Sequence, residues 1–353
     1  MPHHSILAIA YKLGSTRITY EDIASRFGAE AAAKVLKGSG IRNRYVAPKG
    51  VCGSDLAFEA AQELFDRHPE APAQIDIHIH CTQSPDYFLP TTACVLHARL
   101  GLRNDCACFD INLGCSQYVY ALSVADAMLS AGLGRLALVT TGDTMSRTVN
   151  PMDRALVPIL GDAGSATLVG KAEDEAGFLG FCLGTNGAGA KHLMLPAGGF
   201  RMPISVETAI ETTDAEGNVR SPENLFMNGA AIFHFAITVV PATIQKLLKQ
   251  VSLSMDDIGL FLFHQANRYM LDYLVKKLAI PQEKTFFYLD DVGNTSGSTM
   301  PVVLAEAVRA GKVKQGQKVL MIVFGVGLSW AATVMTVPAA LAAMPAIPRE
   351  EGL

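Results

Sequence analysis

The sequence predicts an α/β protein built from two similar halves, and three observations carry this prediction. First, the 353 residues exceed one ordinary domain core, and half of them are hydrophobic while 18% are charged. Second, apolar strand-like segments alternate with helix-like segments, a pattern typical of buried parallel sheets covered by helices. Third, the order and spacing of these segments repeat once along the chain.

The first pair of repeated units is a strand pattern followed by a helix pattern. Residues 75–81 lead through a polar turn into the helix-like segment 92–100, and residues 258–264 lead into the helix-like segment 268–278. In both units the same number of residues separates the opening isoleucine from the closing cysteine or histidine. This agreement predicts two strands that occupy equivalent places in the two halves.

The second pair of units contains the residues Cys115 and Asn294. Each of them precedes a helix-like segment and lies equally far before a closing glycine, Gly132 in one unit and Gly311 in the other. A further strand pattern follows each glycine, at 136–140 and at 319–324. We therefore expect two βα halves, residues 1–173 and 174–353, with a polar insertion at about 200–227 in the second half.

Charge and hydropathy exclude several classes of function. The formal net charge of −4 argues against general electrostatic binding of the protein to nucleic acid or to a membrane surface. The first residues lack a basic segment followed by a long apolar run, so we expect no signal peptide. The uncharged stretch 319–337 is long enough to cross a bilayer, but Gly325, Gly327 and Ser329 interrupt it. It predicts two buried strands joined by a tight turn, not a membrane span.

The seven cysteines are odd in number, scattered, and form no Cys-x-x-Cys pair. This usage is typical of a reducing compartment and of proteins without structural zinc. We therefore expect a cytoplasmic protein without a metal site. Cys106 and Cys108 are interpreted as small core residues of a strand.

Three residues that are distant in sequence are candidates for chemistry: Cys115, His264 and Asn294. Each follows a predicted strand, and functional sites in α/β sheets gather at the carboxyl ends of strands. Cys115 opens a helix, whose positive end favours a thiolate nucleophile. Taken singly, each residue has a structural alternative: a buried cysteine, a core histidine and a helix cap. Other histidines, at 78, 80, 97 and 234, are interpreted as structural.

The three candidates lie in motifs that resemble, in the same order, the active-site motifs of the β-ketoacyl-acyl-carrier-protein synthase III family of the thiolase superfamily. The motifs are Asp-Ile-Asn-Leu-Gly-Cys ending at Cys115, His-Gln-Ala-Asn starting at His264, and Gly-Asn-Thr-Ser containing Asn294. Further similar segments are 40–44, 160–164, 195–199, 228–233 and 324–330. The resemblance spans about residues 1–337.

The resemblance implies a thiolase fold, a five-layered αβαβα sandwich of duplicated halves, and a homodimeric acyltransferase without a cofactor. Cys115 would take an acyl group from a coenzyme A or carrier-protein thioester. His264 and Asn294 would then hydrogen-bond a malonyl-type thioester as it decarboxylates, and the carbanion would attack the acyl-cysteine. The product would be a β-ketoacyl thioester of fatty acid, specialised lipid or polyketide biosynthesis. The backbone N–H groups of Cys115 and Val326 would form the second oxyanion hole, with Val326 where many relatives have glycine.

The resemblance also implies residues for substrate binding and for the partner subunit. Arg154 matches the arginine that flanks the adenine of coenzyme A, but Lys34 replaces the tryptophan expected on the other side, and lysine cannot stack. Asn267 closes the His-Gln-Ala-Asn motif. Leu89 matches the residue that a partner subunit inserts into the acyl tunnel.

Carrier-protein docking is expected near the helix that follows the His-Gln-Ala-Asn motif. Lys276 and Lys277 match basic positions there, and Arg268 stands one position away from the family's docking arginine. Ion pairing along this helix, which also carries Asp272, is the alternative interpretation.

Two alternative functions stay open at this stage. The acyl group on Cys115 could pass to an oxygen, nitrogen or aromatic nucleophile in secondary metabolism, with His264 as a general base. The chain could also be a non-catalytic partner in a heteromeric synthase, although it retains all three motif residues. The insertion 200–227 is either a surface loop or a rim over the substrate entrance.

Overall fold

A computed structural model describes residues 4–174 and 176–344. The strands in chain order are β1 (His4–Leu13), β2 (Thr16–Thr19), β3 (Asn43–Val46), β4 (Ile77–Cys81), β5 (Ala107–Ile111), β6 (Leu136–Asp143), β7 (Ala163–Lys171), β8 (Phe178–Thr185), β9 (Leu193–Met194), β10 (Thr212–Thr213), β11 (Val219–Arg220), β12 (Phe226–Met227), β13 (Leu260–Phe263), β14 (Lys318–Gly325) and β15 (Ser329–Thr336). The helices are α1 (Tyr20–Phe27), α2 (Ala29–Ser39), α3 (Gly53–Arg67), α4 (Thr92–Arg99), α5 (Gln117–Ser130), α6 (Gly229–Gln250), α7 (Arg268–Lys277), α8 (Thr299–Arg309) and α9 (Ala339–Ala342).

Two mixed sheets repeat the same strand order. The first runs β1-β7-β6-β4-β5, and the second runs β8-β15-β14-β13, with a parallel bridge from Phe261 to Thr285 where a fifth strand would lie. The predicted equivalence of 75–81 with 258–264 is therefore seen as β4 and β13. The predicted parallel pairing is present between β4, β5 and β6 and between β13 and β14. β7 and β15 depart from it, because each turns back beside the preceding strand and pairs antiparallel to it.

The layers follow from which faces of the sheets are apolar. The inner faces of both sheets pack on α5 and α8, which share one buried cluster with residues of β4, β6, β14 and β15. α5 is mostly apolar, as expected for a helix between two sheets, and buries seven of its residues from Gln117 to Leu129. α3 and α4 cover the outer face of the first sheet, and α6 and α7 cover the second. The expected five-layered αβαβα sandwich is confirmed.

The uncharged stretch 319–337 forms β14 and β15, joined by a tight turn at Val326–Leu328, as predicted. Within the described residues one helix, α6, is long and apolar enough to cross a membrane by length and composition alone. Its Ala236, Val240, Ile244 and Leu247 are fully buried and pack on the second sheet, as in the core helix of a globular protein. α6 therefore belongs to the outer layer of the sandwich.

The strands of the first sheet all precede residue 173, and those of the second all follow residue 174. The division of the chain into domains 1–173 and 174–353 stays a prediction, and residues 345–353 lie outside the described part. His78 and His80 are buried in β4, where both rings bond the hydroxyl of Thr140 at 2.9 Å. Their structural interpretation fits this position.

Candidate active site

Cys115, His264 and Asn294 line one small cavity of about 100 Å³ between the two sheets. Cys115 lies in a 3₁₀ turn between β5 and α5, His264 directly follows β13, and Asn294 lies in the loop before α8. These are the carboxyl ends of equivalent strands in the two halves, so the duplication brings the three side chains together. The trio predicted from spacing is thus one site.

Cys115 is enclosed by backbone from the opposite half. A β-carbon added to Gly325 would come 2.7 Å from the Cys115 Cβ and 2.9 Å from its Sγ, so only glycine fits there. The backbone N–H groups of Cys115 and Val326 and the hydroxyl of Ser296 interact with the sulfur and favour its thiolate form. Burial outweighs them and, with the charge of Asp143, raises the pKa of the Cys115 thiol to about 12.

The raised pKa of Cys115 predicts a nucleophile that is a thiol at neutral pH in the free protein. Below the pKa of a thiol, the fraction present as thiolate rises about tenfold with each pH unit. Because only the thiolate reacts, alkylation of Cys115 by iodoacetamide should accelerate about tenfold per pH unit from pH 6 to 9. Peptide mass spectrometry measures the rate at Cys115, and the exposed Cys94 serves as the internal control. A plateau below pH 8 would show instead that the positive end of α5 dominates, as the sequence suggested.

His264 is 2% exposed and is held by one hydrogen bond and one ring contact. Its Nδ1 lies 2.6 Å from the Thr299 hydroxyl, and its ring meets Phe324 edge-on at 5.4 Å between centroids. Burial lowers the pKa of His264 to about 3, so the imidazole is neutral at physiological pH. The Thr299 hydroxyl also lies 3.0 Å from the Ser296 carbonyl, so its one proton has two acceptors. When that proton is donated to Nδ1, the ring proton is on Nε2, which is then a hydrogen-bond donor.

Asn294 lines the cavity, and its amide oxygen is already engaged by a neighbour. Its backbone N–H donates to the Ile159 carbonyl at 2.9 Å, and its Oδ1 accepts the Ser296 N–H at 3.0 Å. Because Oδ1 is used in this way, the Nδ2 donor is the group left for a ligand. His264 and Asn294 together therefore offer two N–H donors beside Cys115.

The remaining wall of the cavity is mostly apolar, apart from Gln83, Asn267 and Ser296, and suits a hydrocarbon group. Val326 lines this cavity with its side chain, which a glycine would leave open. The other apolar side chains of the wall are those of Met145, Leu156, Ile159, Leu160, Leu193, Leu225, Met227, Ile232, Met270 and Phe324.

The other predicted residues fall in three places. Lys34 and Arg154 line a larger outer cavity of about 1130 Å³, which adjoins the inner one at Asn267. The Asn267 side chain also caps α7 by accepting the Met270 N–H at 2.9 Å. Leu89 is 86% exposed and lines neither cavity within this chain.

The basic residues of α7 are partly engaged within the chain. Arg268 donates to Asp272 at 2.9 Å and stacks over Phe287, which agrees with the ion-pairing interpretation. Lys277 donates to the Ile237 carbonyl at 2.7 Å. Lys276 is exposed on the same helix.

Three residues around the site were missed by sequence reasoning: Ser296, Thr299 and Asp143. Ser296 has φ +54°, a strained conformation for a side chain other than glycine, and this turns its hydroxyl toward Cys115 and Asp143. Asp143 is fully buried and accepts from the Gln83 N–H at 2.7 Å and the Gln117 amide at 3.1 Å. Ser296 and Thr299 stand near Asn294 in sequence, but their contacts depend on the fold.

Comparison with known families agrees with the geometry. Residues 109–187 match the family described as 3-oxoacyl-[acyl-carrier-protein (ACP)] synthase III, and residues 248–337 match its C-terminal part. These segments contain Cys115, His264 and Asn294, the three residues that share the inner cavity.

Individual relatives cover most of the chain. A β-ketoacyl-[acyl-carrier-protein] synthase III of Caldanaerobacter subterraneus subsp. tengcongensis is 37% identical over 84% of this chain and 87% of its own length. A 2.1 Å crystal structure of a 3-oxoacyl-(acyl-carrier-protein) synthase III aligns with a TM-score of 0.92 at 40% identity, covering 95% of this chain and 100% of that one. The 3-oxoacyl-(acyl-carrier-protein) synthase of Burkholderia xenovorans aligns with a TM-score of 0.89 at 32% identity, covering 97% and 96%.

Proposed function

The chain belongs to the β-ketoacyl-[acyl-carrier-protein] synthase III family, and on this premise we propose that Cys115 carries the acyl group while His264 and Asn294 drive decarboxylation. The family assignment makes the protein an acyltransferase that condenses an acyl group with a malonyl-type thioester in fatty acid biosynthesis. The observation that supports the residue roles is the convergence of these three side chains on one cavity.

In the first half-reaction, the Cys115 sulfur attacks the carbonyl carbon of an acyl thioester. A sulfur–carbon bond forms, the carbonyl oxygen becomes an oxyanion, and the donor thiolate leaves and takes up the proton from Cys115. The N–H groups of Cys115 and Val326 already face the sulfur, where they can bind that oxyanion. The apolar wall of the inner cavity then holds the acyl chain.

In the second half-reaction, the malonyl thioester loses carbon dioxide and its bonding electrons move into an enolate. The enolate oxygen is stabilised by N–H donors from His264 Nε2 and Asn294 Nδ2, each fixed by its own partner. The carbanion attacks the acyl carbonyl on Cys115, a carbon–carbon bond forms, and the Cys115 sulfur leaves and is protonated. His264 need not change its protonation state, which suits its low pKa.

We further propose a homodimer that is cytoplasmic, as the free cysteines favour. β5 is an edge strand of the first sheet, paired on one side only, and strand edges are natural pairing surfaces. The exposed rings of Phe88 and Phe200 contact each other at 5.8 Å, next to the exposed Leu89. A dimer through this apolar surface would bury it and place Leu89 at the partner's acyl cavity.

Analytical ultracentrifugation should show that the wild type is a dimer and that the double variant Phe88→Asp with Phe200→Asp is a monomer. A monomeric wild type would contradict the proposed homodimer.

The proposed function is tested by running the two half-reactions separately on the wild-type protein. Intact-mass spectrometry after exposure to a panel of acyl thioesters should show one acyl group, and digestion should place it on Cys115. Adding malonyl-carrier protein should then release carbon dioxide and return Cys115 to the free thiol as the β-ketoacyl product forms. Acylation followed by product formation without malonyl thioester would favour transfer to another nucleophile.

A further inference from the structure

The outer cavity is the mouth through which a thioester must reach Cys115. It shares Ile159, Gly229, Asn267 and Met270 with the inner cavity, so the two spaces adjoin. α2 supplies one side of the mouth, and the β10–β11 hairpin of the insertion supplies another through Glu216 and Asn218. The insertion is therefore a rim of the substrate entrance.

The β10–β11 hairpin is fixed to the protein and is not a loose surface loop. Asp214 closes the turn by accepting the Asn218 N–H at 2.8 Å and the Arg220 guanidinium at 3.0 Å. Arg220 also forms an ion pair with the fully buried Asp153, and Asn218 accepts the Ala155 N–H at 3.0 Å. These bonds tie the turn to the segment that carries Arg154.

The fixed hairpin lies against one side of Arg154, whose side chain is otherwise exposed. A β-carbon added to Gly217, at the tip of the turn, would come 3.3–3.6 Å from three atoms of the Arg154 guanidinium. Gly217 has φ +81°, so the turn places its bare backbone against the guanidinium. The turn restricts stacking on that side of Arg154, and Lys34 across the mouth offers no ring. The rings that line the mouth are those of Phe27, Phe233 and Tyr269.

The charges of the mouth do not favour a polyanion. Its charged lining residues are two cations, Lys34 and Arg154, and two anions, Glu30 and Glu216. Coenzyme A ends in an adenine nucleotide with several phosphate charges, and a mouth with balanced charge gives it no net attraction. A phosphopantetheine arm on a carrier protein brings a single phosphodiester and no adenine.

An aromatic and basic surface formed by α6 and α7 lies at the edge of the mouth, where Phe233 and Tyr269 line the outer cavity. Tyr269 is 62% exposed and stacks with Phe233 at 5.5 Å, while Tyr273 meets Phe233 edge-on at 5.3 Å. Exposed aromatic residues beside a cation such as Lys276 are typical of protein contact surfaces. The aromatic surface thus suits a protein that presents its arm to the mouth.

We infer that the first acyl group arrives on a carrier protein, and that the β10–β11 hairpin with Glu30 and Glu216 selects against the nucleotide end of coenzyme A. This inference rests on the proposed function, because it identifies the donor that acylates Cys115. The thioester exchange is the one described above, with the carrier's pantetheine thiol as the leaving group.

The test compares single-turnover acylation of Cys115 by one acyl group on pantetheine, on coenzyme A and on each carrier protein of the source organism. Octanoyl, butyryl and acetyl groups are tried, and the fastest is used. In the wild type, the acylation rate with the coenzyme A thioester should be less than about tenfold higher than with the pantetheine thioester. The rate with a carrier-protein thioester should be more than about tenfold higher than with either. Glu30→Lys with Glu216→Lys should raise the coenzyme A rate at least about tenfold and leave the pantetheine rate unchanged.

The matched control is Glu70→Lys with Glu173→Lys, which makes the same change in net charge at exposed positions outside the mouth lining. This control should leave the ratios between the acylation rates of the three kinds of donor unchanged. A wild-type preference for coenzyme A over pantetheine of tenfold or more, lost in Arg154→Ala, would overturn the inference, as would carrier proteins that are no faster than pantetheine. Failure of every donor to label Cys115 would instead overturn the proposed function.

Discussion

Cys115→Ala should abolish acylation and condensation but leave the protein able to release carbon dioxide from a malonyl thioester. The variant removes the only thiol among the described residues that line the inner cavity, so no acyl-enzyme can form. The donors that stabilise the enolate, His264 Nε2 and Asn294 Nδ2, are held by Thr299 and by the Ser296 N–H, and neither bond involves Cys115. Without an acyl-cysteine to attack, the carbanion takes a proton from water and an acetyl thioester results.

The measurement pairs intact-mass labelling with carbon dioxide release from malonyl-carrier protein, for the wild type and the variant. Retained decarboxylation doubles as the folding control, because it requires the second half of the site to be intact. Cys94→Ala, at an exposed position, should behave as the wild type in both assays. Condensation by Cys115→Ala would exclude Cys115 as the acyl carrier and with it the proposed mechanism.

The sequence predicted the fold and the trio because both depend on repeated local patterns. The matching spacing of Cys81 with His264 and of Cys115 with Asn294 reflects equivalent strand ends, and the structure has β4 and β13 where the spacing puts them. The antiparallel pairing of β7 was not foreseen, since nothing in its segment records which neighbour it joins, whereas β15 was expected to follow β14 through a tight turn. Fold class therefore follows from periodicity, while strand direction requires tertiary contacts.

The surroundings of each site residue could not be predicted from the sequence to the same extent. A cysteine at a helix start suggested a stabilised thiolate, yet burial between the two halves raises the pKa of Cys115 to about 12. That burial comes from Gly325, far along the chain. The polar composition of 200–227 likewise gave no hint that Gly217 would lie against Arg154. Such features arise from contacts between distant segments, which spacing does not encode.

His264→Ala should lower condensation by about a hundredfold to a thousandfold while leaving acylation of Cys115 close to the wild-type rate. Removal of one oxyanion donor typically costs about 3–4 kcal/mol of barrier. The enolate oxygen builds its charge only in the second half-reaction, so the loss falls on carbon dioxide release. Acylation does not require His264 as a base in this arrangement, because burial leaves its pKa near 3 and the oxyanion of that step faces the N–H groups of Cys115 and Val326.

Two variants of Thr299 test whether its hydroxyl sets the tautomer of the His264 ring. Thr299→Val removes the hydroxyl that lies 2.6 Å from Nδ1 at nearly constant volume, whereas Thr299→Ser keeps it. If the hydroxyl donates to Nδ1 and so holds the proton on Nε2, the valine variant should lose decarboxylation and the serine variant should retain it, with acylation unchanged in both. Equal activity of the two variants would show that Thr299 only packs against the ring.

For His264→Ala, a large loss of acylation would contradict the roles proposed for this site, because it would show that His264 acts as a base in the first half-reaction.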